Sequence, residues 1–345
     1  MIVPIADAPI DGKTTRIAAD LCRADVLAIA QLGGGRNSRV FRVETAAATY
    51  ALKLYPPRAA GEHDRLGVET AALRWMERHG FAMVPRVIAA DRDRGAVLLS
   101  WAEGDLVREG VGEAEVEQAC DFLRHLHMLR TTPAVPPDDL AAEACLSVSE
   151  IERQLHSRIA SLRVLEEPSL TTFLAEHAEP ALATRIGGAR VAMIAAGQLM
   201  ADLPQSRRSQ VPSDFGFHNA LRGADGRLTF IDFEYFGWDD PAKLVADILL
   251  HPGTPIDDAA RAQLHSGALE IYGDDPGFAA RLKALLPLFG LRWALILLNE
   301  FRPERWQRRV LAGATENWAA VKQRQLAAAR AMLDRHVMRR PGETG

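Results

Sequence analysis

The chain has 345 residues, 48% of them hydrophobic, with a formal net charge of −4 at pH 7, enough length and apolar content to bury a sizeable core in two lobes. The acidic balance argues against a polyanion as the main partner, so no nucleic-acid binding is expected. Cys22, Cys120 and Cys145 are scattered without paired spacing, which speaks against a disulfide framework or a zinc site and reads as a reduced, cytoplasmic chain.

The N-terminal stretch MIVPIADAPIDGKTTRIAADL lacks the basic start and long apolar core of a signal peptide. Two short β-like runs, 26–32 and 40–43, then enclose a glycine cluster and read as a hairpin with a glycine-rich turn. Glycines at 33–35 let backbone N–H groups approach phosphate oxygens without a Cβ in the way, and Ser38 adds a hydroxyl donor. Alone, three glycines in a turn are more often only a turn.

In the next strand, TYALKLY, Tyr50, Leu52 and Leu54 alternate with Ala51, Lys53 and Tyr55, so Lys53 shares a face with small Ala51. That pairing leaves room for a flat base and places an ammonium where phosphate charge can be neutralised. The stretch 66–78 has a helical apolar stripe of Val68, Ala71, Ala72, Trp75 and Met76, with Glu69 beside it and able to reach Lys53. An exposed edge lysine and a solvated helix glutamate are the ordinary readings of the two residues taken singly.

Further on, 113–130, 147–165, 189–203 and 276–301 carry helix-like apolar spacing, and the proline-rich TTPAVPPDD separates the first two. Between the third and fourth lie SDFGFHN and FIDFEY. Asp214 and Asn219 fit one tight loop, and Asp232 ends the apolar run 228–231, which reads as a buried strand. Two carboxylates and a carboxamide in this order suit a metal-assisted phosphoryl-transfer site. Turn, cap and strand-end duties are the structural alternatives for each.

Among the last helices, LRWALILLNEFRPERW sets Arg292, Asn299 and Glu300 among large apolar residues, where they either bond each other or meet a substrate. Trp238 and Tyr235 are candidates to stack on a ring or a quaternary ammonium group, with core packing as the alternative. The longest apolar run, near 294–298, is short and flanked by Arg292, Asn299 and Glu300, so no membrane insertion is expected. The tail 340–345 reads as disordered.

On these motifs, PSDFGFHNAL and FIDFEYFGWDDP above all, the chain from about 26 to about 318 resembles the aminoglycoside phosphotransferase and choline kinase family of small-molecule kinases. The resemblance implies an α+β, bilobal, protein-kinase-like fold: a small antiparallel β-sheet N-lobe with one main helix at 1–102, a hinge near 99–102, and a larger, mostly helical C-lobe at 103–339. It implies ATP and Mg2+ as cofactors, with Asp214 as catalytic base and Asn219 and Asp232 as metal ligands. Lys53 and Glu69 would form the phosphate-side ion pair beside Ala51. Gly33, Gly34, Gly35, Asn37 and Ser38 would form the loop over the nucleotide, and backbone groups from Ser100 to Ala102 would bond the adenine edge. The acceptor is expected to be a small-molecule hydroxyl on a sugar, aminosugar or aminoglycoside, with choline or another amino alcohol as the alternative. A nucleotide-binding pseudokinase is the rival from another class.

Two departures stand out. Pro212 and Ser213 occupy the place of the family's usual His-Gly before the catalytic aspartate, so the histidine that braces that loop is missing. After Asp240-Pro241 the family's closely following aspartate is replaced by Leu244, and Asp247, one turn late, reads as structural.

Overall fold

The structure, a computed structural model, describes residues 10–33, 38–58, 61–131, 139–198, 201–254, 256–311 and 316–338. The strands in chain order are β1 (Val26–Leu32), β2 (Arg39–Thr45), β3 (Thr49–Leu54), β4 (Val87–Asp91), β5 (Ala96–Ser100), β6 (Asp105–Leu106), β7 (Ser209–Val211), β8 (Ala220–Arg222), β9 (Leu228–Phe230) and β10 (Gly237–Asp239). The helices are α1 (Gly12–Cys22), α2 (Arg65–Arg78), α3 (Glu113–Met128), α4 (Val148–Arg163), α5 (Pro168–Phe173), α6 (Glu179–Ala195), α7 (Pro241–Leu250), α8 (Asp258–Ile271), α9 (Phe278–Leu297), α10 (Pro303–Leu311) and α11 (Trp318–Met332). They fall into two compact units, one of residues 1–144, 209–238 and 253–271, the other of 145–208, 239–252 and 272–345.

The first unit is built on a five-stranded antiparallel sheet in the order β1-β2-β3-β5-β4. Period-two alternation gives it two unlike faces. Leu52 and Leu54 of β3 join Phe41, Val43, Ala96 and Leu98 in a core closed by Ile17 and Ala18 of α1. Each leucine buried there contributes about 1.5–3 kcal/mol. The alternate residues of β3, including Lys53, face the other way. Helix α1 was not expected from the sequence; it starts at Asp11, whose side chain accepts from the Thr14 amide at 2.7 Å. Helix α2 is capped in the same manner by Asp64, which accepts from the Gly67 amide at 3.0 Å. A three-stranded sheet, β6-β8-β9, follows, and α3 packs against α8.

In the second unit α9 is the centre, packed by α4, α6, α7 and α11. Among the described residues Phe278–Phe301 has the length and apolarity of a membrane span, yet 61% of that window is buried within the protein. The helix expected over 276–301 stops at Leu297 and continues as a 3-10 turn, Leu298–Phe301. Arg292 lies in the α-helical part and Asn299 in the 3-10 turn. The helix expected over 189–203 starts earlier and ends sooner. It is the end of a longer path in which α5 passes through a π-helical turn, Leu174–Ala178, into α6. That turn ends two residues before Pro180, whose missing N–H removes one bond of the regular ladder.

Candidate active site

Lys53 sits in β3 opposite Val40 of β2 and Val97 of β5. Its Nζ donates to Glu69 Oε1 at 2.7 Å and to Asp232 Oδ1 at 3.0 Å. Glu69, on α2, is only 1% exposed and is fully engaged. Its Oε2 accepts from the Tyr55 hydroxyl, and Oε1 also accepts from the Phe233 backbone amide at 3.3 Å. A buried carboxylate needs such partners, because an unpaired one is costly. Burial alone would depress the Lys53 ammonium, but Glu69 and Asp232 outweigh it and hold its pKa well above the ordinary value. Burial, reinforced by Glu69, likewise pushes the Tyr55 phenol upward. Asp232 differs from Glu69 in that 38% of its side chain remains exposed.

The Asp214 loop belongs to the same unit. The Asp214 amide donates to Pro212 O at 2.9 Å, and Asp214 O accepts from Asn219 Nδ2 at 2.9 Å. The Asn219 side-chain amide is thereby committed to the loop, which turns its carbonyl oxygen to the role of acceptor. Asn219 O in turn accepts from the Ile231 amide at 2.9 Å, tying this loop to the residue before Asp232. Ser213 and Asp232 both adopt left-handed backbone, at φ 64° and 72°, a conformation that costs a non-glycine residue on the order of 1–3 kcal/mol.

Aromatic anchors hold both aspartates. Phe215 and Phe233, each the residue after an aspartate, pack on Phe122 of α3 with ring centroids 4.8 and 6.3 Å apart. Phe230 lies 5.1 Å from the same ring. Phe122, Phe215 and Tyr55 were not among the residues singled out from sequence. The signal available was the repeated Asp-Phe pair at 214–215 and 232–233, and for Tyr55 its place on the Lys53 side of the alternation.

Of the glycine loop, Gly34, Gly35 and Asn37 lie outside the described residues, while Gly33 and Ser38 stand at the end of β1 and the approach to β2. Ala51 is half-buried in β3 opposite Leu99. Ser100 ends β5, its amide donating to Arg86 O and its hydroxyl accepting from the Arg86 amide, and Ala102 follows in irregular backbone. Trp101 lines a cavity of about 750 Å3, together with Leu32, Arg42, Asp105 and Arg222. Lys53, Asp214 and Asp232 do not line it. Gly104 borders it at φ 135°, where a Cβ would come 2.5 Å from Arg222 O, so only glycine fits.

The residues weighed as acceptor contacts are engaged within the protein. Arg292 is 5% exposed and pairs with Asp247 at 3.2 Å. Glu300 pairs with Arg309, and Asn299 Oδ1 accepts from Arg302. Trp238 is buried, its backbone bonded to Asp139 and Ala141. Tyr235 stacks on His63 and meets the Arg65 guanidinium.

A profile described as the phosphotransferase enzyme family matches residues 28–277. No curated protein sequence matches the chain. Among solved structures, a choline/ethanolamine kinase family protein from Mesorhizobium loti aligns with TM-score 0.56 and 18% identity over 89% of this chain and 88% of its own. A choline kinase from Streptococcus pneumoniae aligns with TM-score 0.57 and 15% identity over 94% and 99%. A spectinomycin phosphotransferase, solved with ADP and spectinomycin, aligns with TM-score 0.59 and 12% identity, again over 94% and 99%. The likeness establishes the kinase-like fold, and the profile, covering most of the sequence, makes this chain a member of the phosphotransferase enzyme family.

Proposed function

We propose that this phosphotransferase moves the γ-phosphoryl group of ATP to a hydroxyl of a small molecule. The observation that carries the reading is Lys53, tied at once to buried Glu69 and to half-exposed Asp232. A cation so held is fixed beside a carboxylate that water and ligands can reach, which is what positioning a polyphosphate requires.

In this reading Lys53 neutralises charge on the α and β phosphates, and Ala51 leaves room for the base. Gly33 to Ser38 cover the phosphates with backbone N–H groups. With the Ser100 amide already donating to Arg86, adenine-edge bonding falls to the Ser100 carbonyl and the backbone of Trp101 and Ala102. Asn219 and Asp232 present hard oxygen donors of the kind Mg2+ prefers, and they would hold that ion, which when bound neutralises charge on the β and γ phosphates. Asp214 accepts the proton of the acceptor hydroxyl. The hydroxyl oxygen bonds to the γ phosphorus, the bond to the β-phosphate oxygen breaks, and ADP leaves. Most of the rate comes from positioning and fixed charge.

The nucleotide-binding lobe is read as 1–102 with its hinge at 99–102, and the acceptor side as 103–339. A sugar, aminosugar or aminoglycoside ranks first as acceptor, in line with the spectinomycin phosphotransferase neighbour, and an amino alcohol second, in line with the choline kinases. With Cys22, Cys120 and Cys145 all free, the proposed location is the cytoplasm.

The test is ADP release from Mg-ATP with water alone and with choline, ethanolamine, spectinomycin, gentamicin, streptomycin and a fructosamine as acceptors. Asp214→Ala is expected to lower turnover by about 10²–10⁴-fold while ATP still raises the melting temperature. Wild-type turnover in that variant would remove Asp214 from the mechanism. ATP stabilisation without transfer to any acceptor would favour a regulatory nucleotide-binding module.

A further inference from the structure

The backbone around Asp214 is well held. Its amide and carbonyl are both bonded, and the Ser213 hydroxyl donates to Ala142 O at 3.0 Å. None of these bonds sets the torsion of the carboxylate itself, which in aspartate is broad and roughly two-fold. Pro212 has no side-chain donor to contribute.

His218 has one. It lies four residues on, in the 3-10 turn Phe217–Asn219, with Nε2 at 3.2 Å from Asp214 Oδ1 and Nδ1 at 3.4 Å from Thr254 Oγ1. Gly216 leaves the ring its room. A Cβ on Gly216 would come 3.0 Å from His218 Nδ1 and 3.1 Å from Thr254 Oγ1, so the ring has its place because residue 216 lacks a side chain. Only 15% of the His218 side chain is exposed.

We propose that His218 is the positioning residue for the base: Nε2–H donates to Asp214 Oδ1, and the Thr254 hydroxyl donates to Nδ1 and fixes that tautomer. The Asp214 carboxylate is thereby aimed before an acceptor arrives, an arrangement in which a second group orients a proton acceptor. This inference rests on reading Asp214 as the base, and His218 acts only through it.

The experiment compares His218→Leu, His218→Gln, Asp214→Asn and the Asp214→Asn/His218→Leu pair, with each variant's melting curve recorded. Turnover is read as ADP release from Mg-ATP with water and with each acceptor of the panel above. His218→Leu is expected to lower kcat by about 10–100-fold, the scale of a small misplacement, with KM for ATP unchanged. His218→Gln keeps a side-chain N–H and recovers most of the loss. The double variant turns over no more slowly than Asp214→Asn, because groups that act as a unit are not additive. If His218→Leu does not fold, Gly216→Ala and Thr254→Val disturb the same ring from outside and are expected to lower kcat in the same sense.

A His218→Leu enzyme at wild-type rate beside a dead Asp214→Asn enzyme overturns this inference and leaves the function intact. Equal losses in His218→Leu and His218→Gln, or a further loss in the double variant, also overturn it. An active Asp214→Asn enzyme, or a wild type that releases no ADP, overturns the reading on which it rests.

Discussion

Each compact unit holds a lysine between two carboxylates, and the two clusters meet water differently. In the first, Lys53 joins buried Glu69 to Asp232, whose side chain is 38% exposed. In the second, Lys243 lies between Asp239 and Asp247 at 3.3 and 3.1 Å, all three buried. Arg292 and the Trp293 indole N–H close on Asp247, and the Cys145 and Asp240 amides close on Asp239. Burial alone would lower the Lys243 pKa, but Asp247 and Asp239 outweigh it and raise it. The second cluster is buried, and its charges are paired within the protein. The first keeps one anion facing outward, and an unfinished shell is what leaves room for a ligand.

The sharpest contrast comes from removing each lysine. Lys243→Met leaves two carboxylates buried without their shared cation and is expected to cost about 3–5 kcal/mol of stability, read by denaturant unfolding, with turnover per folded molecule unchanged. A variant that kept its stability and lost its activity would erase the distinction. Lys53→Met should do the reverse. Turnover falls about 10²–10³-fold, while stability drops less than in Lys243→Met, since only one of the two carboxylates left behind, Glu69, is buried and Asp232 remains 38% exposed to water.

A smaller effect tests how the open cluster is carried. Asp64→Ala removes the cap of α2 and is expected to cost about 1 kcal/mol, seen as a lower melting temperature with kcat little changed. A large kcat loss would show that the helix start sets the Glu69 position directly.

The smallest effect probes closure chemically. Burial, with the Arg292 charge working against it, pushes the Cys145 thiol up to about 12. A thiol raised in the folded state contributes stability that is complete below its unfolded pKa of ~8.5 and is lost as the pH rises through the folded value of about 12. In native protein at pH 8, iodoacetamide should label Cys22 first and reach Cys145 only on unfolding. Early labelling of Cys145 would mean that the second cluster opens.

The open cluster was largely legible in the sequence and the closed one was not, for a physical reason. Lys53 could be placed by strand alternation and Glu69 by helical spacing, each a local pattern, and their contact at 2.7 Å is what those patterns anticipate. Strand β1 was bounded at 26–32 and α2 within a residue, because both have strong periodicity. The closed cluster unites residues from 145, 239–247 and 292, and no local pattern marks which polar side chain on an apolar helix will find a buried partner. Arg292, weighed between substrate and mutual pairing, meets Asp247, forty-five positions away. Helix α1 was missed since its start, Asp11-Gly12, has the look of a turn. The entry to α6 was missed as well, since the helix begins at Glu179, ahead of the stretch 189–203 whose apolar spacing marked it.

One junction in the first unit has a wider meaning. The Glu69 carboxylate gathers an ammonium from β3, a phenol from just beyond β3 and the amide that follows Asp232. Swinging α2 away would sever all of these at a stroke, so the helix is latched and not hinged. Any displacement of α2 relative to β3 must therefore break these bonds together.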